Sequence, residues 1–445
     1  MGNYRKKGLL IGIAVFLMIG IVLPVAAGGQ KEGAAPVTIR FAHMWQDGAS
    51  EDATKSVAIL KQVEAANPGM KLVHEVVTGD EMRNKIRVDV AANNAPDMWQ
   101  FWVGGVLADY VAKGILLDID NFLAKSKKVK KEDISKSAWD SCTFDGVVRA
   151  FPRNISVGIF AANAEIFKKY SWAYPKSWAE FLALGKKFDA QGVASSNIGS
   201  KGGNPSHFWY GDLVCQYEAG VTGTATIGKT LNFRQRPFIK AAEYCDEMRA
   251  AGLFPKDVMA NGDWAPSIAY YDQGNVAFCY TFAWCFANMS EEIIQKTEII
   301  PIPKLPDGER DTSKFIQGTT NDAYCINAKS FEDPKKQGYL VALMDAVAFD
   351  IGLMESQIGS IVSVNNNVMK QVKLDQIADK MMVKTLKYRL ANNVSGSPMI
   401  WQELPSNKLQ FDYQAALDEL WAGAITPAEY IDKVQKSCDE YKASK

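Results

Sequence analysis

Val37-Thr38-Ile39-Arg40-Phe41-Ala42 alternates apolar and polar side chains, the pattern of a half-buried strand. The next sixty residues decide the fold class. Ser50-Glu51-Asp52 opens a helix, with a serine placed to cap free backbone amides and two carboxylates beside the positive end of the helix dipole. Ala53, Val57, Leu60 and Val63 make its inner stripe, and Asn67-Pro68-Gly69 stops it. Leu72 to Val77 reads as a second strand, Asp80 to Asn93 as a helix ending before Pro96, and Met98 to Trp102 as a third strand. Strand, helix, strand, helix, strand is the pattern of a parallel α/β sheet, because parallel neighbours need a crossover that a helix supplies.

Downstream, the same element types return without the same sequence. Asn154 to Ala161 reads as a strand. Ser177-Trp178-Ala179-Glu180 is a capping box opening a helix to about Asp189, and Gln191 to Pro205 is a Gly/Ser/Asn-rich loop. Phe233 to Ala251 reads as a helix, Val276 to Tyr280 as a strand, Pro301 to Asp311 as a connector and Thr320 to Ile326 as a strand. The remainder is mostly helical, with a second capping box at Thr426-Pro427-Ala428-Glu429.

Upstream, Arg5, Lys6 and Lys7 precede an apolar run from Leu9 to Val25 that closes on Val25-Ala26-Ala27. This predicts an export signal over residues 1–27, cut near Ala27-Gly28, and a flexible linker over 28–36. An uncleaved anchor is the alternative, since the run is almost long enough to span a bilayer at roughly 20 residues. No cysteine lies near the cut to take a lipid, and no later segment reads as apolar enough to span a membrane. A periplasmic or extracellular location is therefore expected, which disfavours ATP, NAD and nucleic-acid chemistry.

The formal charge is 0 with the leader and −3 once Arg5, Lys6 and Lys7 are removed, so no nucleic-acid partner is expected. Residues 28–445 suffice for two domains at roughly 100–200 residues each. The seven Cys include no CxxC pair and are odd in number, so buried thiols are expected, with one bridge such as Cys279–Cys285 as the alternative. Three scattered His offer no metal-ligand spacing, and neither metal nor cofactor is expected.

Several stretches, in order and spacing, resemble the extracellular (periplasmic) solute-binding proteins, specifically the sugar-binding group that includes maltose-binding protein. They are Phe41-Ala42-His43-Met44-Trp45, Glu64 to Leu72, Ala95-Pro96-Asp97-Met98, Gly105 to Tyr110 with Gly114 to Ile119, and Pro175 to Phe181. Tyr271-Asp272-Gln273-Gly274-Asn275-Val276-Ala277-Phe278 with Trp284, and Leu420-Trp421-Ala422-Gly423 with Thr426 to Glu429, complete the set. The resemblance implies an α/β, two-lobed periplasmic-binding-protein fold (type II-like). Each lobe would be a mainly parallel sheet flanked by helices, joined by three hinge crossings near Phe151–Ser156, Phe315–Thr320 and Ser356–Asn365. Lobe I would comprise residues 37–152 with 320–356, and lobe II residues 153–319 with 365–445. It also implies a carbohydrate ligand between the lobes, permease subunits of an ABC importer as partners, a monomer, and no catalysis.

A sugar presents apolar C–H faces and a rim of hydroxyls, so its site needs flat aromatic rings with convergent polar groups. Eleven Trp are available. Trp45 follows the first strand at its carboxyl end, where α/β sheets bind ligands, with Gln46 and Asp47 beside it. Trp102 ends the third strand, whereas Trp99 reads as core. Trp284 matches the family's cleft Trp, although Phe282-Ala283 stands where the family usually has Gly before it. Trp401 stands where the family places a second-lobe Trp near ligand. His207, Trp209 and Tyr210 offer a further platform, Trp264 a rim or packing residue, and Trp139, Trp172, Trp178 and Trp421 read as structural. Arg153 and Asn154 at the first crossing, and Thr320 and Asn321 at the second, are the polar candidates; an interlobe ion pair is the competing role for Arg153. Three rivals are weighed, the third being a cell-surface adhesin, which would show tandem repeats that this sequence lacks. A non-sugar solute (polyol phosphate, peptide or polyamine) would bring charge into the cleft. An exported glycoside hydrolase would need two carboxylates flanking one bond, which no spacing here pairs.

Overall fold

The computed structural model describes residues 35–77 and 79–445; the expected signal and nearly all of the linker lie outside them. Two sheets organise the chain. The first runs in the order Met70–Val76, Val37–His43, Met98–Trp102, Asp322–Ile326, Phe151–Pro152. Its first three strands are parallel, as their alternation with the helices Glu51–Ala66 and Asp80–Ala91 requires. The last two are antiparallel. The second sheet runs Thr297–Ile299, Gly158–Asn163, Val276–Phe282, Ala194–Ser196, and only its last pair is parallel. Both sheets are therefore mixed rather than mainly parallel. Asp322–Ile326 reaches the first sheet after a long excursion through the other lobe, so no single crossover helix fixes its direction.

The chain changes sheet at three adjacent segments. Phe151–Pro152 belongs to the first sheet and Gly158–Asn163 to the second. The expected single strand from Asn154 is thus broken, because Asn154–Ile155 pairs instead with Val362–Ser363 at the junction. Ile155 also bridges Thr320, on the segment returning from Phe315–Gln317 to Asp322–Ile326. Three strands of chain thus lie side by side between the lobes.

Local signals act as read. The Ser50 hydroxyl accepts from the Ala53 amide, and Ala53, Val57 and Leu60 are buried. Both capping boxes close, opening Trp178–Gln191 and Pro427–Ala443. The stretch read as a loop, Gln191 to Pro205, contributes the edge strand Ala194–Ser196. Its polar composition hides a side-chain ladder: Asn197 donates to the Tyr280 carbonyl at 3.2 Å and accepts from the Tyr280 amide at 2.8 Å. One further expectation is corrected. Pro334–Ile358 is a helical run long and apolar enough, by length and composition, to cross a membrane. Here it is a packing helix, half buried, that carries Asp345 and Glu355 into the protein. All seven Cys are free and buried, so Cys279 and Cys285 form no bridge.

Candidate functional site

A run of aromatic rings crosses the junction between the lobes. It begins at Trp102, at the carboxyl end of its strand, whose ring meets Trp401 of the short helix Ile400–Glu403 edge to face at 6.3 Å. Arg83 lays its guanidinium over both rings, 5.8 and 5.9 Å from their centroids, and over Phe411 at 4.6 Å. The same group donates to Gln410 Oε1 at 2.9 Å. His207 continues the run, 6.0 Å from Trp401 and 4.1 Å from Phe208. Phe208 lies 4.4 Å from Phe282 and 5.5 Å from Trp264. Trp284 ends the run, stacked on Phe282 at 4.6 Å with the planes 3° apart and met edge-on by Trp264 at 5.5 Å. Both ends of the run sit at carboxyl ends of strands, one from each sheet, the edge at which α/β sheets receive ligands. Trp102, Trp264 and Trp284 are only partly buried. Trp401 is buried, and its indole N–H has no hydrogen-bond partner among the described residues. Burial, reinforced by the nearby Arg83 charge, lowers the His207 pKa to about 3, so this ring is neutral at ordinary pH.

Behind the rings lies a buried ionic knot. Arg153 donates to Asp322 Oδ2 at 2.9 Å and to Glu355 Oε1 at 2.5 Å. Its backbone amide bonds the Asp322 carbonyl at 2.7 Å, and its carbonyl receives the Val364 amide at 3.1 Å. One side chain thus ties all three passages together. The Trp45 indole N–H donates to Glu355 Oε1 at 2.9 Å, and the Arg153 guanidinium lies 5.7 Å from the Trp45 ring. Burial pushes Glu355 up, to about 7, against the pull of Arg153; the carboxylates hold Arg153 protonated.

The sequence candidates divide accordingly. Trp102, Trp284 and Trp401 belong to the run. Arg153, Asn154, Thr320 and Asn321 line the passages, where Asn154 accepts from the Asp322 amide at 3.1 Å and Asn321 donates to Asp322 Oδ1 at 2.8 Å. Trp45 is 4 % exposed and packs beside Phe41, His43 and Tyr324, so it braces the knot and presents no open face. Gln46 and Asp47 are exposed, and Asp47 pairs with Lys61 at 3.2 Å. Trp209 and Tyr210 are corrections: both are core. Trp209 packs on Phe160 at 5.1 Å and Phe181 at 6.0 Å, while the Tyr210 hydroxyl donates to the Phe238 carbonyl at 3.0 Å. A helix turns about 100° per residue, so four consecutive rings cannot share a face; His207 and Phe208 take the junction side. Sequence reading missed Arg83, Phe208, Phe282 and Phe411. For Arg83 no local signal existed, because Gln410, Trp401 and Phe411 lie more than 300 positions away.

Three carboxyls here are raised to about 7: Glu403 by burial alone, Glu355 as described, and Asp212 by burial opposed by the Tyr280 hydroxyl and the Gln317 amide. A raised acid binds more protons folded than unfolded between its two pKa values. Unfolding free energy therefore falls as pH rises through the window from the ordinary carboxylate range to about 7. Buried His43 and His207, lowered to about 3, act in the opposite sense below the ordinary imidazole value, so the Glu403 contribution is read as a difference: the melting temperature of the wild type minus that of Glu403→Gln should rise as pH is lowered from about 7.5 to about 5. Differential scanning calorimetry across this range checks it; a slope unchanged in the variant contradicts the assignment to Glu403.

Comparison with known proteins agrees with the fold. The osmoprotective compounds-binding protein GgtB of Synechocystis sp. is 24% identical over 186 residues, 40% of this chain and 43% of GgtB, so the match spans less than half of that relative. A chain solved in work on xylan utilisation by the thermophilic bacterium Caldanaerobius polysaccharolyticus superposes with a TM-score of 0.79 at 23% identity, covering 90% of this chain and 100% of that one. A chitin oligosaccharide binding protein does so with a TM-score of 0.76 at 18% identity, covering 89% and 98%. Both share the two-lobed α/β fold. The sequence profile described as bacterial extracellular solute-binding protein matches residues 58–338, most of the chain, and this protein belongs to that family.

Proposed function

We propose that this protein captures a neutral carbohydrate, an oligosaccharide, between its lobes outside the cytoplasm and delivers it unchanged to the permease subunits of an ABC importer. The ring run from Trp102 to Trp284 is the observation that carries the reading. Flat faces offered by both lobes suit the C–H faces of successive sugar rings. The Trp401 indole N–H, buried without a partner among the described residues, is placed to meet a hydroxyl, and Arg83 lies over the same rings. The names of two structural neighbours point the same way, toward xylan and chitin oligosaccharides, whereas that of GgtB speaks only of osmoprotective compounds. In this reading lobe I is 37–152 with 320–356, lobe II is 153–319 with 365–445, and the protein acts as a monomer after removal of residues 1–27.

A thermal-shift panel of mono- and oligosaccharides tests it. A specific ligand at about a hundredfold excess over its Kd adds about 2.7 kcal/mol of stability. Recovery of the sugar intact by chromatography separates binding from hydrolysis. Stabilisation by a polyol phosphate, peptide or polyamine and by no sugar overturns the proposal, as does consumption of the sugar.

A further inference from the structure

We propose that Gly104-Gly105 is the closing contact between the lobes, and that the absence of side chains there sets how near the lobes come and so how tightly ligand is held. The inference rests on the capture reading above. Trp102 ends its strand, the Val103 amide donates to the Asn321 carbonyl at 3.1 Å, and the chain then turns at Gly104-Gly105. This turn lies against the main chain of residues 402–404. A Cβ on Gly105 would stand 2.2 Å from the Leu404 carbonyl oxygen and 3.0 Å from that of Glu403; one on Gly104 would stand 2.4 Å from the Gln402 carbonyl oxygen. The opposing atoms are backbone, so no rotamer change clears them.

The facing segment is seated on the second lobe. Gly228, in the helix Glu218–Thr230, meets the same segment without a side chain, its Cβ position 2.3 Å from the Glu403 carbonyl oxygen. Backbone therefore meets backbone on both sides of residues 402–404. Two polar ties cross at the same place: Arg83 to Gln410 at 2.9 Å, and the Gln402 side-chain amide to the Asn321 carbonyl at 3.3 Å. Trp102 and Trp401 each lie a few residues from the contact. The separation at which the lobes stop thus fixes the spacing of those two rings.

Gly105 isolates the effect. Gly104 has a left-handed φ of 81°, so any substitution there strains the backbone as well. Gly105 has no such φ, and alanine at 105 adds bulk alone. Gly338, with nothing near its Cβ position, is the matched control.

The test places spin labels on Lys113→Cys and Lys256→Cys, both exposed, one in each lobe; the seven native thiols are buried away from the label. Interlobe separation is then measured by pulsed electron resonance, without ligand and with any carbohydrate that stabilises the wild type. Gly105→Ala should lengthen the separation in whichever state the wild type is closed, and weaken binding about tenfold by depleting the closed form. Gly338→Ala should match the wild type. A separation unchanged in both states overturns the proposal, whatever happens to the melting temperature. If Gly105→Ala does not fold, Gly228→Ala adds bulk behind the same segment, its Cβ position being 2.3 Å from the Glu403 carbonyl oxygen; an unchanged separation there overturns it equally. A wild type that binds no carbohydrate defeats the capture reading, while the ligand-free separation still decides the contact.

Discussion

Arg153→Leu is expected to destabilise the protein by about 3–5 kcal/mol. The guanidinium serves two buried carboxylates, and Asp322 and Glu355 offer no water-exposed route of escape. Without it both must be protonated or held as uncompensated charge. The loss should therefore shrink as pH falls toward 5, because protonating a carboxyl removes the charge that lacks a partner. Arg153→Lys should recover only part of the loss, since one ammonium cannot hold both acceptors in the forked geometry. The triple variant Arg153→Leu, Asp322→Asn, Glu355→Gln should be more stable than Arg153→Leu alone. Equilibrium urea unfolding at two pH values measures all of this. A loss below about 1 kcal/mol at neutral pH would mean that the carboxyls are already neutral.

Trp284→Ala should weaken carbohydrate binding by about 2 kcal/mol or more, roughly 30-fold, the scale of an aromatic anchor at the centre of an interface. Its ligand-free cost should fall well below the about 3–5 kcal/mol of a fully buried Trp, because one face of the indole rests on Phe282 and the side chain is only partly buried. Titration calorimetry with the best sugar, together with ligand-free melting, separates the two effects. A large ligand-free loss with unchanged affinity would make Trp284 a packing residue and remove it from the site.

Much of this architecture is written locally. Ser50, Ser177 and Thr426 cap the helices they were read to open, and the first three strands lie parallel because short helical crossovers join them. What local pattern could not convey is polarity and partnership over distance. The antiparallel entry of Asp322–Ile326, the break after Ile155 and the side-chain ladder of Asn197 each depend on neighbours far along the chain. The site divides the same way. Trp102 and Trp284 are legible because strand ends define a face. His207-Phe208-Trp209-Tyr210 is not, because a helix buried on all sides gives no clue to which pair looks inward. Arg83 is invisible to sequence reading, since its role exists only once Phe411 and Gln410 have been brought to it.

The late arrival of the fourth strand in the first sheet has a consequence for biosynthesis. Until residue 326 has left the ribosome, Met98–Trp102 has no hydrogen-bonding partner on one side. Pairings so remote in the chain make for slow folding, with a long-lived open edge on the nascent chain.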